Sequence, residues 1–264
     1  MNVPPGDRRR VLADHPALVI QRDSLYLEWV ALHNRMGQYK EALGLLGARH
    51  FHPWEGGEGR VSEQYQFAQV QIARQALAVG DGCRAVVQLE AARAWPEQLG
   101  EGRLTGIQEN HIDYYLGLAQ VQRGEVMAAR EAFERAASGF EHLSMSMFYY
   151  DQPPDMLYYQ GLALKKLGRE REAMSRFNRL IDHGERHLHD ACTIDYFAIS
   201  LPNFLVFDDD LNLRNRVHCL YLMALGHAGK GNMSKAEARA REVLALDVNH
   251  LGAWALLPES LIAS

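Results

Sequence analysis

At 264 residues with 47% hydrophobic content, the chain carries enough apolar material for a sizeable core. A formal net charge of −5 excludes a nucleic-acid binder that relies on a basic face. Cys83, Cys192 and Cys219 are odd in number and widely spaced, which excludes a disulfide framework and metal-ligand pairing and fits buried thiols in a reducing compartment.

No apolar run reaches the eighteen or so residues of a membrane helix. The Pro-, Arg- and Asp-rich start from Met1 to Pro16 lacks the apolar stretch of a signal peptide, so a cytoplasmic location is expected. Val11 to Gln21 contains Pro16 and reads as a partial helix or the remnant of an earlier unit, making residues 1–22 one segment.

From there Gly37, Gly80, Gly124, Gly168 and Gly231 punctuate the chain, each followed five residues later by alanine: Ala42, Ala85, Ala129, Ala173 and Ala236. The first four are spaced 43, 44 and 44 residues apart, the signature of a tandem array. Seven before each glycine stands a small or β-branched residue (Val30, Ala73, Gly117, Gly161, Ala224), and nine after it an apolar one (Leu46, Leu89, Phe133, Phe177, Ala240). Glycine ends a helix in the left-handed conformation at no steric cost, and small residues beside it let two helices pack closely.

Ile112, Tyr115, Leu116 and Ala119 follow helical spacing, and Ala129, Ala132, Phe133, Ala136 and Phe140 continue the stripe beyond Gly124. Each unit is therefore expected to be a helix, a tight turn and a helix, which buries its apolar face only by stacking on its neighbours. The repeats are assigned to 23–249, and 250–264 to a C-terminal capping helix and tail with Leu251, Trp254 and Leu257 on one side. Gly168 and Gly231 are 63 residues apart, so the run from Asp195 to Asp210 interrupts the array.

The units resemble the tetratricopeptide repeat family, most clearly in Leu116-Gly117 with Gly124, Ala129, Phe133 and Ala136, and next in Met36-Gly-Gln-Tyr-Lys-Glu-Ala-Leu43. The resemblance implies an all-α, right-handed superhelical solenoid of about five helix-turn-helix units, with the extra residues per unit lying in long patterned connectors. Gly57-Glu-Gly-Arg60 recurs as Gly100-Glu-Gly-Arg103, with Trp54 and Trp95 ahead of them, and two further connectors are rich in aromatic residues.

His52-Pro-Trp-Glu-Gly-Gly-Glu-Gly-Arg60, Asp151-Gln-Pro-Pro-Asp155 and the run Asp195 to Leu211 are similar to the C-terminal helical region of large bacterial proteins carrying the domain of unknown function 5107. In that family a β-rich domain similar to carbohydrate-processing folds precedes the repeats. This implies a helper role here, no transferable catalytic residue, and a chain that begins as a fragment or a stand-alone paralogue. Self-association through the N-terminal end, giving a homo-dimer, is the corresponding expectation.

In such an array the first helices line the concave face. Ten residues before the last three glycines stand Tyr114, Tyr158 and Tyr221, and thirteen before them stand His111, Asp155 and His218, which together would form a groove of Tyr, His and Asp. Tyrosine offers rigid apolar area with a polar tip, suited to peptide or sugar rings. The plainer alternative is that these tyrosines fill gaps between consecutive helices. The Lys, Asn and Arg grip that related modules use on a chaperone's C-terminal carboxylate is replaced by Leu27, Ala31, Gln71, His111 and Tyr115.

The connectors supply a second candidate set, Trp54, Glu58, Arg60, Glu101, Arg103 and Asp208, for which turn formation and helix pairing is the structural reading. His183 and His187 at i, i+4 lack a third ligand fixed by spacing, so no metal is assigned. Asp208-Asp-Asp210 lacks the ligand alternation of a calcium loop and reads as the start of a helix through Asn215. The Gly-Glu-Gly-Arg segments lack the ending of a phosphate loop, and no Ser-His-Asp set can be assembled.

The expected function is a non-catalytic interaction module without cofactor, holding a protein segment or neighbouring domain, with carbohydrate as a further ligand class and no nucleic acid or membrane. The alternative is part of a glycan-acting, glycoside hydrolase-like enzyme with carboxylates from the connectors, which requires two of them facing one pocket.

Overall fold

The computed structural model describes residues 3–52, 59–143, 153–192 and 210–257, and all regular structure among them is helical. Two short helices open it, α1 (Pro5–Ala13) and α2 (Pro16–Gln21). Each has proline in its first turn, where a missing N–H leaves nothing unpaired.

Five hairpins follow: α3 (Asp23–Arg35) with α4 (Tyr39–Gly47), α5 (Arg60–Ala78) with α6 (Gly82–Arg93), α7 (Asn110–Gln122) with α8 (Val126–Ala137), α9 (Met156–Lys166) with α10 (Glu170–His187), and α11 (Leu211–Gly229) with α12 (Met233–Leu246). The five repeat glycines make their turns, at φ of 73°, 80°, 76°, 76° and 79°. In every turn the residue after the glycine donates its N–H to the carbonyl five residues before its own position, as Gln38 does to His33 and Asn232 to His227, both at 2.9 Å. This Schellman closure satisfies helix-end carbonyls and needs a left-handed residue, which is why glycine recurs.

The small and large columns meet inside each hairpin. Val30, Ala73 and Ala224 are fully buried, as are Ala42, Ala85 and Ala173. Where the small column is glycine the large column is phenylalanine: a Cβ on Gly117 would come within 2.4 Å of Phe133, and one on Gly161 within 2.4 Å of Phe177. Volume is thus exchanged within a unit while the helix separation is kept.

From α3 to α12 every helix touches the next, and the first helices α3, α5, α7, α9 and α11 also touch in succession. Burial is spread along the array as separate clusters, such as Leu27, Val30 and Leu46 in the first hairpin and Val217, Leu220 and Val243 in the last. A final helix, α13 (Leu251–Leu256), is opened by His250, whose Nδ1 accepts from the Ala253 N–H at 3.1 Å. The last segment also lies against the beginning of the array: Arg74 donates to the Ala255 carbonyl at 3.4 Å, and the Arg8 guanidinium donates to the Asn249 side chain.

Three expectations need correction. The extra length per unit is not confined to connectors, because α5 and α11 have 19 residues and α10 has 18. The duplicated connectors do not share one backbone geometry: Gly59 has φ 76°, whereas Gly102, at the same place in the motif, is not in the left-handed region. The first copy leads straight into α5, while the second must still cover 104–109 before α7. Of the cysteines, Cys219 is buried and Cys83 is exposed, on the solvent side of the first turn of α6. No helix among the described residues is long and apolar enough to cross a membrane.

Candidate functional site

The first helices of the last four hairpins enclose a groove of about 500 Å³, closed at one end by Asp247, His250 and the α13 residues Leu251 and Gly252. Phe67, His111, Asp155 and His218 all line it, so the residues thirteen before the last four glycines share one surface. Tyr158 and Tyr221 line it too.

Tyr114 does not line the groove. It packs with Leu118 against Ala129 and Phe133, and burial raises its hydroxyl to about 12. One position further along, nine before the glycine, Gln71, Tyr115, Tyr159 and Leu222 line the groove instead. Columns thirteen and nine before the glycine are i, i+4 on one helix face; the column ten before it lies at the edge of that face, where Val70, Tyr158 and Tyr221 still reach the groove and Tyr114 turns to its hairpin partner. That spacing was the signal available for Tyr115 and Tyr159.

Tyr159 is the hub of the aromatic set. Its ring lies 5.1 Å from Tyr158, 6.0 Å from Tyr115, 6.2 Å from Tyr114 and 5.7 Å from His111, the Tyr158 and Tyr115 contacts being edge-on as ring quadrupoles favour. Tyr221 stacks 4.4 Å from His250, and the absence of a side chain at Gly252 makes room for its hydroxyl. Arg74 holds its guanidinium 5.9 Å from the Tyr115 ring centre and donates to Gln71 Oε1 at 3.0 Å.

Acidic groups face these rings. Burial pushes the Asp155 carboxyl up to about 6. Glu63 is raised to about 7, first by loss of solvation within the groove walls and then by the Asp155 charge, with Arg60 and Arg35 opposing. Its side chain is nonetheless open to water, so the shift reflects crowding within a wet groove and not sealing from solvent. His111 is lowered to about 4 by burial and by Arg93, and therefore sits neutral beside Met156 and Tyr159.

Of the described connector candidates, Glu101 and Arg103 are engaged in holding helices. Glu101 Oε2 accepts from the Ser62 N–H at 3.0 Å, capping the first turn of α5. Arg103 pairs with Glu109 at 2.6 Å, a carboxylate only 4% exposed that also accepts from Gln66 at 2.9 Å and faces Arg93 at 3.6 Å. Arg60 is exposed at the start of α5. Trp54, Glu58 and Asp208 lie outside the described residues, whereas Asp210 caps α11 by accepting from Asn212 and Leu213 at 3.0 and 3.1 Å.

His183 and His187 stack 4.5 Å apart, but His187 Nδ1 is 2.6 Å from Asp190, and no group of three or more metal-ligating side chains occurs among the described residues. Residues sequence reasoning passed over are Glu63, Arg74, Glu109, Tyr159 and His250, each placed by a partner on another hairpin or in the last segment.

Five hairpins on one turn geometry, with an aromatic groove along their first helices, define a helical-repeat protein. A family model for the tetratricopeptide repeat matches residues 155–183, from Asp155 through α9 and most of α10. No solved structure matches the chain.

Proposed function

We propose that the chain is an interaction module that grips a protein segment through this groove, with the hairpins curving so that their first helices form the concave face of a right-handed superhelix. The observation that carries this reading is the continuous lining by Tyr115, Tyr158, Tyr159 and Tyr221, contributed by three successive units around one groove. Rigid rings with polar tips supply contact area at low entropic cost. A helper role beside a carbohydrate-processing domain, as in proteins with the domain of unknown function 5107, is the setting the resemblance suggests.

Selection of a displayed random peptide library on the purified protein tests the reading. Selected peptides are expected to lose binding to Tyr159→Leu and Tyr221→Leu variants that keep wild-type circular dichroism. Unchanged binding by both would overturn it.

A second reading, a glycan-acting site, draws on one observation: Glu63 and Asp155, the latter closing an inter-repeat connector, are two raised carboxyls in one aromatic groove. It requires hydrolysis of aryl glycosides that Glu63→Gln and Asp155→Asn abolish.

A further inference from the structure

We propose that the groove is built for a basic, extended peptide, and seats one of its lysine or arginine side chains among Tyr158, Tyr159 and Tyr221 with the charge at Glu63 and Asp155. The inference rests on the interaction-module reading and adds the chemistry of the partner.

The tyrosine wall already holds one cation at one end, where the chain's own Arg74 stands 5.9 Å from the centre of the Tyr115 ring. Beyond it Tyr158, Tyr159 and Tyr221 continue the same wall, and none of the cation–ring contacts among the described residues involves them. A cation over these faces would gain what Arg74 gains over Tyr115.

The carboxylates call for the same charge. Glu63 comes from α5 and Asp155 from the start of α9, so two separate hairpins aim acids into one cavity, where the Asp155 charge disfavours ionisation of Glu63. Both charges also act on Tyr221, which places acids and ring in one neighbourhood. Neither carboxylate is part of an ion pair among the described residues.

The nearby cations, Arg60 and Arg35 among them, offset the Glu63 charge in part without forming an ion pair with it. Arg35 is bound to Glu28 at 3.2 Å, Arg74 to Gln71 and Ala255, and Arg60 and Arg214 are exposed. Asp247 adds a further acid from the last segment, while His111 and His250 are both held toward their neutral forms by burial. An incoming ammonium or guanidinium would offset the repulsion between Glu63 and Asp155, and binding would expel the proton that Glu63 holds near neutrality and that Asp155 holds at mildly acidic pH.

Fluorescence anisotropy with the full chain tests this. The probe is a labelled Gly-Ser decapeptide carrying two central lysines, compared with its acetyl-lysine and glutamate counterparts, at pH 5.5 and pH 8. The lysine peptide is expected to bind at pH 8 roughly tenfold more tightly than either counterpart, and to weaken several-fold at pH 5.5. Glu63→Gln and Asp155→Asn should each remove most of that preference and flatten the pH dependence, with unchanged circular dichroism.

Equal binding of all three peptides, lost in Tyr159→Leu, would overturn the basic-partner inference and leave the groove reading intact. Binding unaffected by Tyr159→Leu and Tyr221→Leu would overturn both. Spermidine displacing the lysine peptide at equal concentration would assign the site to a small polyamine and overturn the peptide.

Discussion

Glu101 accepts a hydrogen bond from the backbone N–H of Ser62 at 3.0 Å, so the connector leaving the second hairpin reaches back and caps the helix that began it. The first turn of α5 has no capping side chain of its own, because Gly59 occupies the N-cap. A carboxylate there satisfies an orphan donor and complements the positive end of the helix. Glu101→Ala is expected to lower stability by about 1 kcal/mol, with Glu101→Gln losing less, since an amide oxygen can still accept. Thermal denaturation checks this, and peptide binding at saturating concentration should be unchanged in both variants.

The glycine and phenylalanine columns make a sharper prediction. Gly117→Ala would push a methyl to 2.4 Å from Phe133, and is expected to cost about 1–3 kcal/mol despite alanine's better helix propensity. In a Phe133→Leu background the same change should be neutral or stabilising, reproducing the Ala73 and Leu89 pair of the second hairpin, both fully buried. A double-mutant cycle by chemical denaturation measures the coupling, and additive effects would show that the two columns do not exchange volume.

The hairpins were legible because their causes are local. A left-handed turn needs glycine and close helices need small residues, and both constraints repeat at fixed spacing whatever the fold around them. Half of the groove was legible for the same reason: His111, Asp155 and His218 share a column and a surface. Tyr114 was misplaced because its column lies about 100° of helix rotation from the next one, at the edge of the groove face, where packing decides: Tyr158 and Tyr221 reach the groove and Tyr114 packs on Phe133. Glu63, Glu109 and His250 could not be read at all, since their surroundings come from other hairpins or from the returning C-terminal segment. The duplicated Gly-Glu-Gly-Arg motif keeps its letters while Gly59 and Gly102 take different conformations, so recurrence of letters alone does not fix a turn.

Outside the groove, Glu109 joins three partners from different parts of the array. Buried at the start of α7, it accepts from Arg103 at 2.6 Å and from Gln66 at 2.9 Å, and so ties the second hairpin, its connector and the third hairpin together. Replacing it by leucine removes the acceptor from partly buried donors, and is expected to cost about 2–4 kcal/mol. Arg103→Ala should cost less, since its side chain is 42% exposed and Glu109 keeps Gln66 and Arg93. Equal effects of the two substitutions in urea denaturation would contradict this ordering.

Stability should depend on pH through the groove in a direction opposite to that of ordinary carboxylates. Glu63 rises from 4.5 to about 7 and Asp155 from 3.8 to about 6 on folding, so between these limits the folded chain holds protons that the unfolded chain releases. Their contribution is fully present below the unfolded values and is lost as pH rises through the folded ones. His111 runs the other way: lowered from 6.5 to about 4, its contribution is complete above the unfolded value and is lost as pH falls through the folded one. The two effects oppose each other across mildly acidic pH, so the wild-type profile alone is uninformative and the variants must separate them. Glu63→Gln should match wild type near pH 4.5 and melt at a higher temperature at pH 8, where the wild-type carboxylate is charged. His111→Gln should instead flatten the acid side and leave pH 8 unchanged. A Glu63→Gln variant that melts lower than wild type at pH 8 would mean that the ionised carboxylate is stabilised in the folded chain, and that the groove already supplies it with a cation.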